Sequence, residues 1–373
     1  MSNQQIYLSR PLLGDEEVEA VKKVLESKYL TEGAQTREFE KRFAEYVGVR
    51  HGIATTSCTT GIEVALRAAN IGPGDEVIVP DFTFPATALA VMGLGATPVL
   101  TDISPSRFVL DVEHIESAVT EKTKCILCVS NLGFPLDYEP IMELAKEHEI
   151  TVIEDAACST GTIYNGRKVG STIDAAVFSF HARKVMTTGE GGMVCTDDDD
   201  FAQRCREVKN FGVTKTEMGR QTFERWGTNM KMSNIAAAIG IVQLGRLEKI
   251  IEERSKRAET YDSMLQGTSG LELIHLTDNI RYNYYCYPLL IGSEPRDRIL
   301  KSLRQTGIES QIWSYALHRQ PYFRSLCGED KSSDQLFPNA TRAFECGLQL
   351  PLHHELTLEQ QQYVCNTLLD LLG

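Results

Sequence analysis

One lysine of this 373-residue sequence lies in a setting that could support chemistry. Residues 178–193, FSFHARKVMTTGEGGM, leave an apolar strand, pass Ser179, His181 and Lys184, and reach a glycine-rich turn before a second apolar strand. A lysine in such a place can be held against a ligand by the fold. Burial beside another cation or a cofactor can lower its pKa enough for the amine to act as a nucleophile. The alternative is an ordinary solvated surface charge.

Two segments nearer the N-terminus could bind other parts of a ligand. Residues 55–65, TTSCTTGIEVA, open a helix with hydroxyl groups that include Ser57 and Thr59, and the free backbone N–H groups of a helix start favour an anion. Plain N-capping is the alternative. Residues 80–87, PDFTFPAT, place aromatic side chains just after a strand. These could stack on a planar ring or pack in the core.

A third segment, residues 152–161, ends a strand on an acidic pair, Glu154 and Asp155, in VIEDAACSTG. Ligands of open α/β sheets bind at the carboxyl ends of strands. An Asp there can pair with a protonated ring nitrogen such as the pyridinium of pyridoxal phosphate (PLP), or can cap the next helix. Taken together, the four segments supply a phosphate site, a ring stack, a pyridinium partner and a Schiff-base lysine, which are the parts that a PLP enzyme needs.

The overall charge excludes several classes of partner. Lys plus Arg number 38 and Asp plus Glu number 51, which gives a net charge of −13. This acidic balance argues against a nucleic-acid or membrane-surface partner. No stretch approaches the roughly 18 apolar residues of a membrane span, and the N-terminus lacks the features of a secretory signal. We therefore expect a cytoplasmic protein.

The ten cysteines are scattered, mostly in apolar segments. Cys125 and Cys128, in KCILCVS, have a spacing that could suggest zinc or redox chemistry. However, positions three apart in a strand face opposite sides. We expect reduced, buried thiols and no metal site.

Helices and short apolar strands alternate over the first two-thirds of the chain, which predicts an α/β fold with a mostly parallel sheet. Predicted strands are 76–80, 97–102, 124–130, 151–155, 175–180 and 192–196. Predicted helices include 15–27, which carries Val18, Val24 and Leu25 on one face, 37–47, 59–70, 137–148, 296–306 and 357–371. A long helix over 233–265 is expected to leave a large PLP-binding domain (1–245) and enter a smaller C-terminal α+β domain (246–373). The N-terminal segment could pack on the smaller domain.

The sequence resembles the DegT-like sugar aminotransferases, a branch of the fold-type I PLP-dependent enzymes. The resemblance covers nearly the whole chain, from FEKRFAEYVGV through GPGDEVIVPDFTF, GATPVLTDI and VIEDAA to SFHARKVMTTGEGGMV and NMKMSNIAAAIGIVQL. The last two blocks are highly specific. The implied fold is the fold-type I transferase architecture of a large and a small domain.

The resemblance also implies roles for individual residues. Lys184 matches the lysine that forms the internal aldimine and moves the proton, Asp155 the partner of the pyridine nitrogen, and Phe84 the aromatic stacked on the ring. Other positions near the cofactor are Ser57, Cys58, Thr59, Cys158, Ser179 and Asn229. Asn229 matches an asparagine that reaches the phosphate of a neighbouring subunit, which implies a homodimer with composite sites.

Three positions depart from the family pattern. Cys158 stands where Gln or His is usual, Ser130 where His is usual, and Lys231 where Arg is usual. Lysine cannot make the bidentate contact that arginine makes. These departures bear on substrate choice and on the electronic tuning of the ring.

The reaction implied by the resemblance has two halves. L-glutamate aminates the cofactor to pyridoxamine phosphate (PMP), which then aminates a nucleotide-linked keto-sugar, first choice a 4-keto-6-deoxyhexose and second a 3-keto sugar. The anionic nucleotide needs cations in an acidic protein. Candidate substrate-binding residues are His181, Arg183, Lys231, His318 and Arg319.

Three alternatives stay open at this point. One is a PLP- or PMP-dependent sugar dehydratase, although that branch of the family has His in place of Lys184. Another is an aminotransferase for a cyclic ketone without a nucleotide, such as a keto-inositol. The last is a non-catalytic PLP-binding sensor, which would commonly carry an added DNA-binding module.

Overall fold

The computed structural model describes residues 5–292, 294–327 and 334–373. Its helices are α1 (Asp15–Ser27), α2 (Ala34–Val47), α3 (Cys58–Ala68), α4 (Ala86–Met92), α5 (Val112–Ala118), α6 (Tyr138–Glu147), α7 (Asp199–Val208), α8 (Asn234–Leu265), α9 (Arg296–Gln305), α10 (Pro321–Cys327), α11 (Pro338–Cys346) and α12 (Leu358–Leu372). None of these helices is long and apolar enough to cross a membrane.

The strands are β1 (His51–Thr55), β2 (Glu76–Pro80), β3 (Phe82–Thr83), β4 (Thr97–Thr101), β5 (Thr123–Val129), β6 (Thr151–Asp155), β7 (Ile163–Tyr164), β8 (Arg167–Lys168), β9 (Ala175–Ser179), β10 (Gly192–Thr196), β11 (Val213–Glu217), β12 (Arg220–Phe223), β13 (Leu271–Leu273), β14 (Ile280–Arg281), β15 (Tyr287–Ile291), β16 (Gln311–Ile312), β17 (Tyr315–Ala316) and β18 (Gly347–Leu350). All six strands predicted from the sequence are present, with bounds that differ by at most one residue.

A seven-stranded sheet in the order β1-β10-β9-β6-β5-β2-β4 forms the large core. The five strands from β9 to β4 pair in parallel, whereas β10 is antiparallel to both of its neighbours. Apolar side chains cover both faces, as the continuous apolar strands predicted. The prediction of an α/β fold with a mostly parallel sheet is therefore confirmed.

A second sheet, in the order β13-β15-β18-β16, is antiparallel and has its own apolar core. Helix α8 belongs to both cores: Leu247 packs with the large sheet, and Tyr261 and Leu265 pack with the small one. The N-terminal segment packs on the small core: Ile6 belongs to its apolar cluster, and the Ile6 amide donates to the carbonyl of Gly307 at 2.9 Å. The domain boundary near residue 245 stays a prediction.

Two details of the sequence reading have clear structural outcomes. Cys125 and Cys128 are free and lie on opposite faces of β5, in different apolar clusters, which does not suit a shared metal. The apolar face expected on α1 is only partly buried. Val24 is 4% exposed, but Val18 is 67% and Leu25 52% exposed.

Strand β6 ends on two acidic residues that point to opposite faces of the sheet. The Glu154 carboxylate is fully buried, and its Oε1 accepts a hydrogen bond from the Tyr138 hydroxyl at 3.0 Å. Its Oε2 has no hydrogen-bond partner among the described residues. Burial raises the pKa of Glu154 to about 7, while the nearby hydroxyls of Ser130 and Tyr138 oppose that rise.

This burial predicts a pH-dependent stability. As pH rises from about 4.5 to 7, the unfolded chain ionises at this position before the folded one, so the charge opposes folding. Replacing Glu154 by Gln removes that effect. We expect the free energy of urea unfolding of E154Q, relative to wild type, to increase by about 2 kcal/mol between about pH 5 and pH 8. The exposed Glu139→Gln is the control, and an equal pH response in both variants would contradict the prediction.

Candidate active site

Most of the site residues predicted from the sequence line one cavity of about 260 Å³. The cavity lies at the carboxyl ends of β6 and β9 and is closed on the other side by β16 and β18 of the small sheet. The predicted residues that it brings together are Ser57, Cys58, Thr59, Phe84, Asp155, Cys158, Ser179, His181, Arg183 and Lys184.

Lys184 is positioned by a tight loop that leaves β9 and returns to β10. The Lys184 amide donates to the carbonyl of His181 at 2.9 Å. The hydroxyl of Thr187 and the amide of Thr188 both donate to the carbonyl of Phe180, at 2.9 and 3.0 Å. Gly189 then takes a positive φ of 84°, which a glycine adopts without strain. The loop therefore aims the lysine side chain into the cavity.

The Lys184 ammonium has two close neighbours. Its Nζ donates to the Cys158 sulfur at 3.1 Å and lies 4.6 Å from the centre of the Tyr285 ring. Burial alone would lower the pKa of Lys184, but Cys158 and Tyr285 outweigh it and raise this pKa above its ordinary value. The sequence reading anticipated a lowered pKa. The direction differs because the contacts that the structure gives Nζ are a thiol and a phenol ring rather than a cation.

Asp155 is held in place by three donors. Its Oδ2 accepts from the Thr87 hydroxyl at 2.9 Å, and its Oδ1 accepts from the Ala157 amide at 3.2 Å and from the Cys58 thiol at 3.7 Å. Burial raises the pKa of Asp155, while the hydrogen bonds from Thr87 and Ala157 and the charge of Lys184 oppose that rise. The side chain is thus oriented and faces the cavity.

The start of α3 forms the anion-binding side of the cavity. Ser57 caps the helix, since its Oγ accepts from the Thr60 amide at 3.1 Å. The backbone N–H groups of the first turn have no partners within the helix and favour an anion. Gly192 of β10 lets this turn approach closely, because a Cβ atom at Gly192 would lie 2.4 Å from the Ser57 carbonyl oxygen. Ser179 adds a hydroxyl on the neighbouring strand.

Phe84 is the aromatic residue on the rim of the cavity. It is 63% exposed, and its ring centre lies 6.2 Å from that of Tyr315. A large apolar side chain with this exposure beside a cavity is available to stack on a planar ring.

Four predicted site residues do not line this cavity. Asn229 lies in a short bridge with Asn210, and the Lys231 ammonium donates to the Asn210 side chain at 3.0 Å in a separate cleft of about 710 Å³. His318 is buried against Asp81 at 2.6 Å, and Arg319 pairs with Asp334 and Glu345. Both side chains are thus engaged by carboxylates, and the substrate role expected of His318 and Arg319 stays a prediction.

The small sheet and the segments next to its strands contribute residues that the sequence reading did not single out. Tyr285 lies before β15, Gln311 and Gln349 lie in β16 and β18, and Trp313, Ser314 and Tyr315 follow β16, with Tyr315 at the start of β17. They follow no motif, and the tertiary packing brings them to the cavity. The aromatic run YNYYCY around Tyr285 was the one signal available in the sequence.

The residues of the cavity fit PLP. The unpaired N–H groups of α3 and the Ser179 hydroxyl suit its phosphate, the oriented Asp155 carboxylate suits its ring nitrogen, and Lys184 suits its aldehyde. The roles that the resemblance implies for these residues stay predictions. Cys158, next to Lys184, is a weak hydrogen-bonding group where the family usually has Gln or His.

The close approach at Gly192 can be tested directly. A methyl group in Gly192→Ala would push Ser57 and Cys58 away, so we expect about 10- to 100-fold weaker binding of PLP. PLP titration followed by absorbance measures this, and urea unfolding of the apoprotein checks the fold. Gly72→Ala is the matched control, since a Cβ there meets nothing within 4 Å. Unchanged PLP affinity in the Gly192 variant would contradict the assignment.

Comparison with known proteins agrees with this site. The model of the DegT/DnrJ/EryC1/StrS aminotransferase family matches residues 11–369. GDP-perosamine synthase of Caulobacter vibrioides is 38% identical over 358 residues, which are 95% of this chain and 94% of that protein. The aminotransferase TlmJ from Streptoalloteichus hindustanus has a TM-score of 0.91 at 31% identity, and Spr1654 from Streptococcus pneumoniae in its PMP form has 0.92 at 29%, each over 98% of both chains. The chain therefore belongs to the DegT/DnrJ/EryC1/StrS aminotransferase family.

Proposed function

We propose that this PLP-dependent aminotransferase moves an amino group from L-glutamate to a nucleotide-linked keto-sugar, most simply a 4-keto-6-deoxyhexose. One observation carries the proposal: Lys184, Asp155 and the start of α3 converge on one cavity that is also lined by Trp313 and Tyr315. The similarity to GDP-perosamine synthase supports a nucleotide-sugar acceptor. A 3-keto sugar is the second candidate acceptor.

Each residue has a role in this reaction that follows from its position. When bound, PLP supplies an electron sink that accepts the pair released at the substrate carbon. Asp155 keeps a proton on the ring nitrogen, because its carboxylate is fixed by Thr87 and Ala157. Lys184 takes a proton from one face of the donor carbon and returns one to the sugar carbon. Cys158 orients its Nζ between these steps.

The aromatic residues at the mouth suit a sugar ring. Phe84 and Tyr315 offer flat apolar surface, which packs against the C–H faces of a hexose, whereas Trp313 is only 5% exposed and forms part of the cavity wall. The Trp313 indole nitrogen is already used, since it donates to the carbonyl of Leu348 at 2.9 Å. Trp313 therefore recognises shape rather than a particular hydroxyl. Ser314, Gln349 and Asn131 supply polar contacts in the same cavity.

Absorbance spectra of the PLP-loaded protein test both halves of the reaction. We expect L-glutamate to bleach the visible band of bound PLP and a nucleotide 4-keto-6-deoxyhexose to restore it. Lys184→Ala should lack the lysine-dependent band and lose at least about 1,000-fold in turnover. The absence of a lysine-dependent band in wild type would sink the proposal and favour a sensor.

The choice of acceptor separates the remaining alternatives. A band that is bleached by glutamate and restored by a keto-inositol, but by no nucleotide sugar, would replace the proposed acceptor. Loss of water from the sugar without net amino transfer would indicate a dehydratase. The presence of Lys184 favours transamination over that reaction, because a lysine can rebind the cofactor after each turnover.

We further propose that the enzyme is a homodimer with composite active sites. Two observations support this. Helix α1 exposes Val18 and Leu25, and the nearby Tyr29 is 80% exposed, so apolar surface is available for a partner. Asn229 lies outside its own chain's cavity, as expected of a side chain that serves the neighbouring subunit.

Mixing two inactive variants tests the composite site. In a hybrid of Lys184→Ala with Asn229→Ala, one of the two sites has both its lysine and its asparagine. We expect activity to return on mixing to about a quarter of wild type, provided that subunits exchange freely. Native mass spectrometry would count the hybrid dimers. If hybrids form and activity stays absent, Asn229 serves its own chain and the composite site is wrong.

A further inference from the structure

We infer that Arg183, oriented by Gln311, binds the α-carboxylate of the amino donor. The inference rests on the proposed function and names the residue that recognises one of its two substrates. Arg183 has no part in the proton transfers assigned to Lys184.

Arg183 is the only guanidinium that lines the cavity within the described residues. It has no carboxylate within ion-pair distance among those residues. The neighbouring His181 faces Glu190 at 3.7 Å, and Lys184 is engaged by Cys158. Arg183 is thus the group in this cavity that is free to bind an oxyanion.

The small sheet fixes the orientation of the guanidinium. One terminal nitrogen of Arg183 donates to Oε1 of Gln311 at 2.9 Å. Gln311 belongs to β16, which pairs with β18 opposite Gln349. The contact joins the lysine loop to the small sheet. Within the described part of the chain, the other N–H groups of the Arg183 guanidinium make no hydrogen bond. A planar fork held at one corner suits bidentate binding of a carboxylate.

Distance from the reacting carbon distinguishes the two possible anions. Arg183 lines a small adjoining cleft together with Tyr285, and the centre of the Tyr285 ring lies 4.6 Å from the Lys184 Nζ, so the two cations lie near the same ring. The Nζ must reach the reacting carbon of each substrate. In an amino acid, the α-carboxylate is bonded to that carbon. In the keto-sugar, the diphosphate is attached across the sugar ring, about 5 Å or more away. An oxyanion next to the reacting carbon is therefore the one that lies within reach of Arg183, which favours the donor over the nucleotide.

A binding measurement tests this inference apart from turnover. PLP-loaded Lys184→Ala cannot turn over, so calorimetry can measure its affinity for L-glutamate. We expect R183Q in the K184A background to weaken binding about 100-fold and R183K to weaken it about tenfold, because lysine keeps the charge without the fork. R304Q is the matched control, since Arg304 lines only the adjoining cleft and likewise has no carboxylate partner among the described residues.

Donor analogues identify the carboxylate. Isoglutamine has an amide in place of the α-carboxylate, and glutamine has one in place of the side-chain carboxylate. We expect isoglutamine to bind about 100-fold more weakly than L-glutamate when Arg183 is present, and about equally when it is Gln. The inference would be overturned if L-glutamate bound equally well with and without Arg183. It would also be overturned if glutamine, but not isoglutamine, bound more weakly than L-glutamate.

The two proposals fail in different ways. If Arg183→Gln slows restoration of the PLP band by the keto-sugar and leaves glutamate binding intact, the anion is the diphosphate and the inference is wrong. If Lys184→Ala binds glutamate through Arg183 but wild type shows no bleaching, the inference stands and the proposed function fails. Failure of Lys184→Ala to bind glutamate at all overturns the inference.

Discussion

The parallel pairing of β6 with β9 is the constraint on which the rest of the active site depends. Asp155, the last residue of β6, pairs with Val177 of β9. Ser179, the last residue of β9, follows Val177 by two positions. Parallel strands end at the same edge of a sheet, and the lysine loop therefore begins beside the carboxylate. A slip of one residue in this register would turn Asp155 to the opposite face, towards the apolar cluster that surrounds Tyr138.

Few charged side chains line the cavity. The protein is strongly acidic, yet among the described residues that line the cavity the only carboxylates are Asp155 and Glu190. Lys184 and Arg183 stand next to each other in sequence, but separate partners hold them: Cys158 for the ammonium and Gln311 for the guanidinium. The amide of Gln311 orients the guanidinium without cancelling its charge, which leaves Arg183 available to an anionic substrate.

The sequence was sufficient to predict the site residues that lie at the ends of neighbouring strands of the large sheet. Asp155 and Lys184 could be predicted because strand order and chain order together determine which strand ends meet. Tyr285 and Gln311 could not, because they reach the cavity only through the packing of one sheet against another. The sequence also could not show that His318 lies outside this cavity, since no local pattern reveals that Asp81, 237 positions earlier, binds its ring. Strand β1 was missed because its five residues, HGIAT, include only one strongly apolar side chain, Ile53.

Helix α8 has a consequence for how the molecule unfolds. Its 32 residues span about 48 Å, and its two halves are packed into different apolar cores. The small sheet cannot detach as an independent body without either breaking this helix or exposing Tyr261 and Leu265 to water. The two cores are therefore coupled through one continuous helix, and separating the small sheet from the large one exposes apolar surface of that helix.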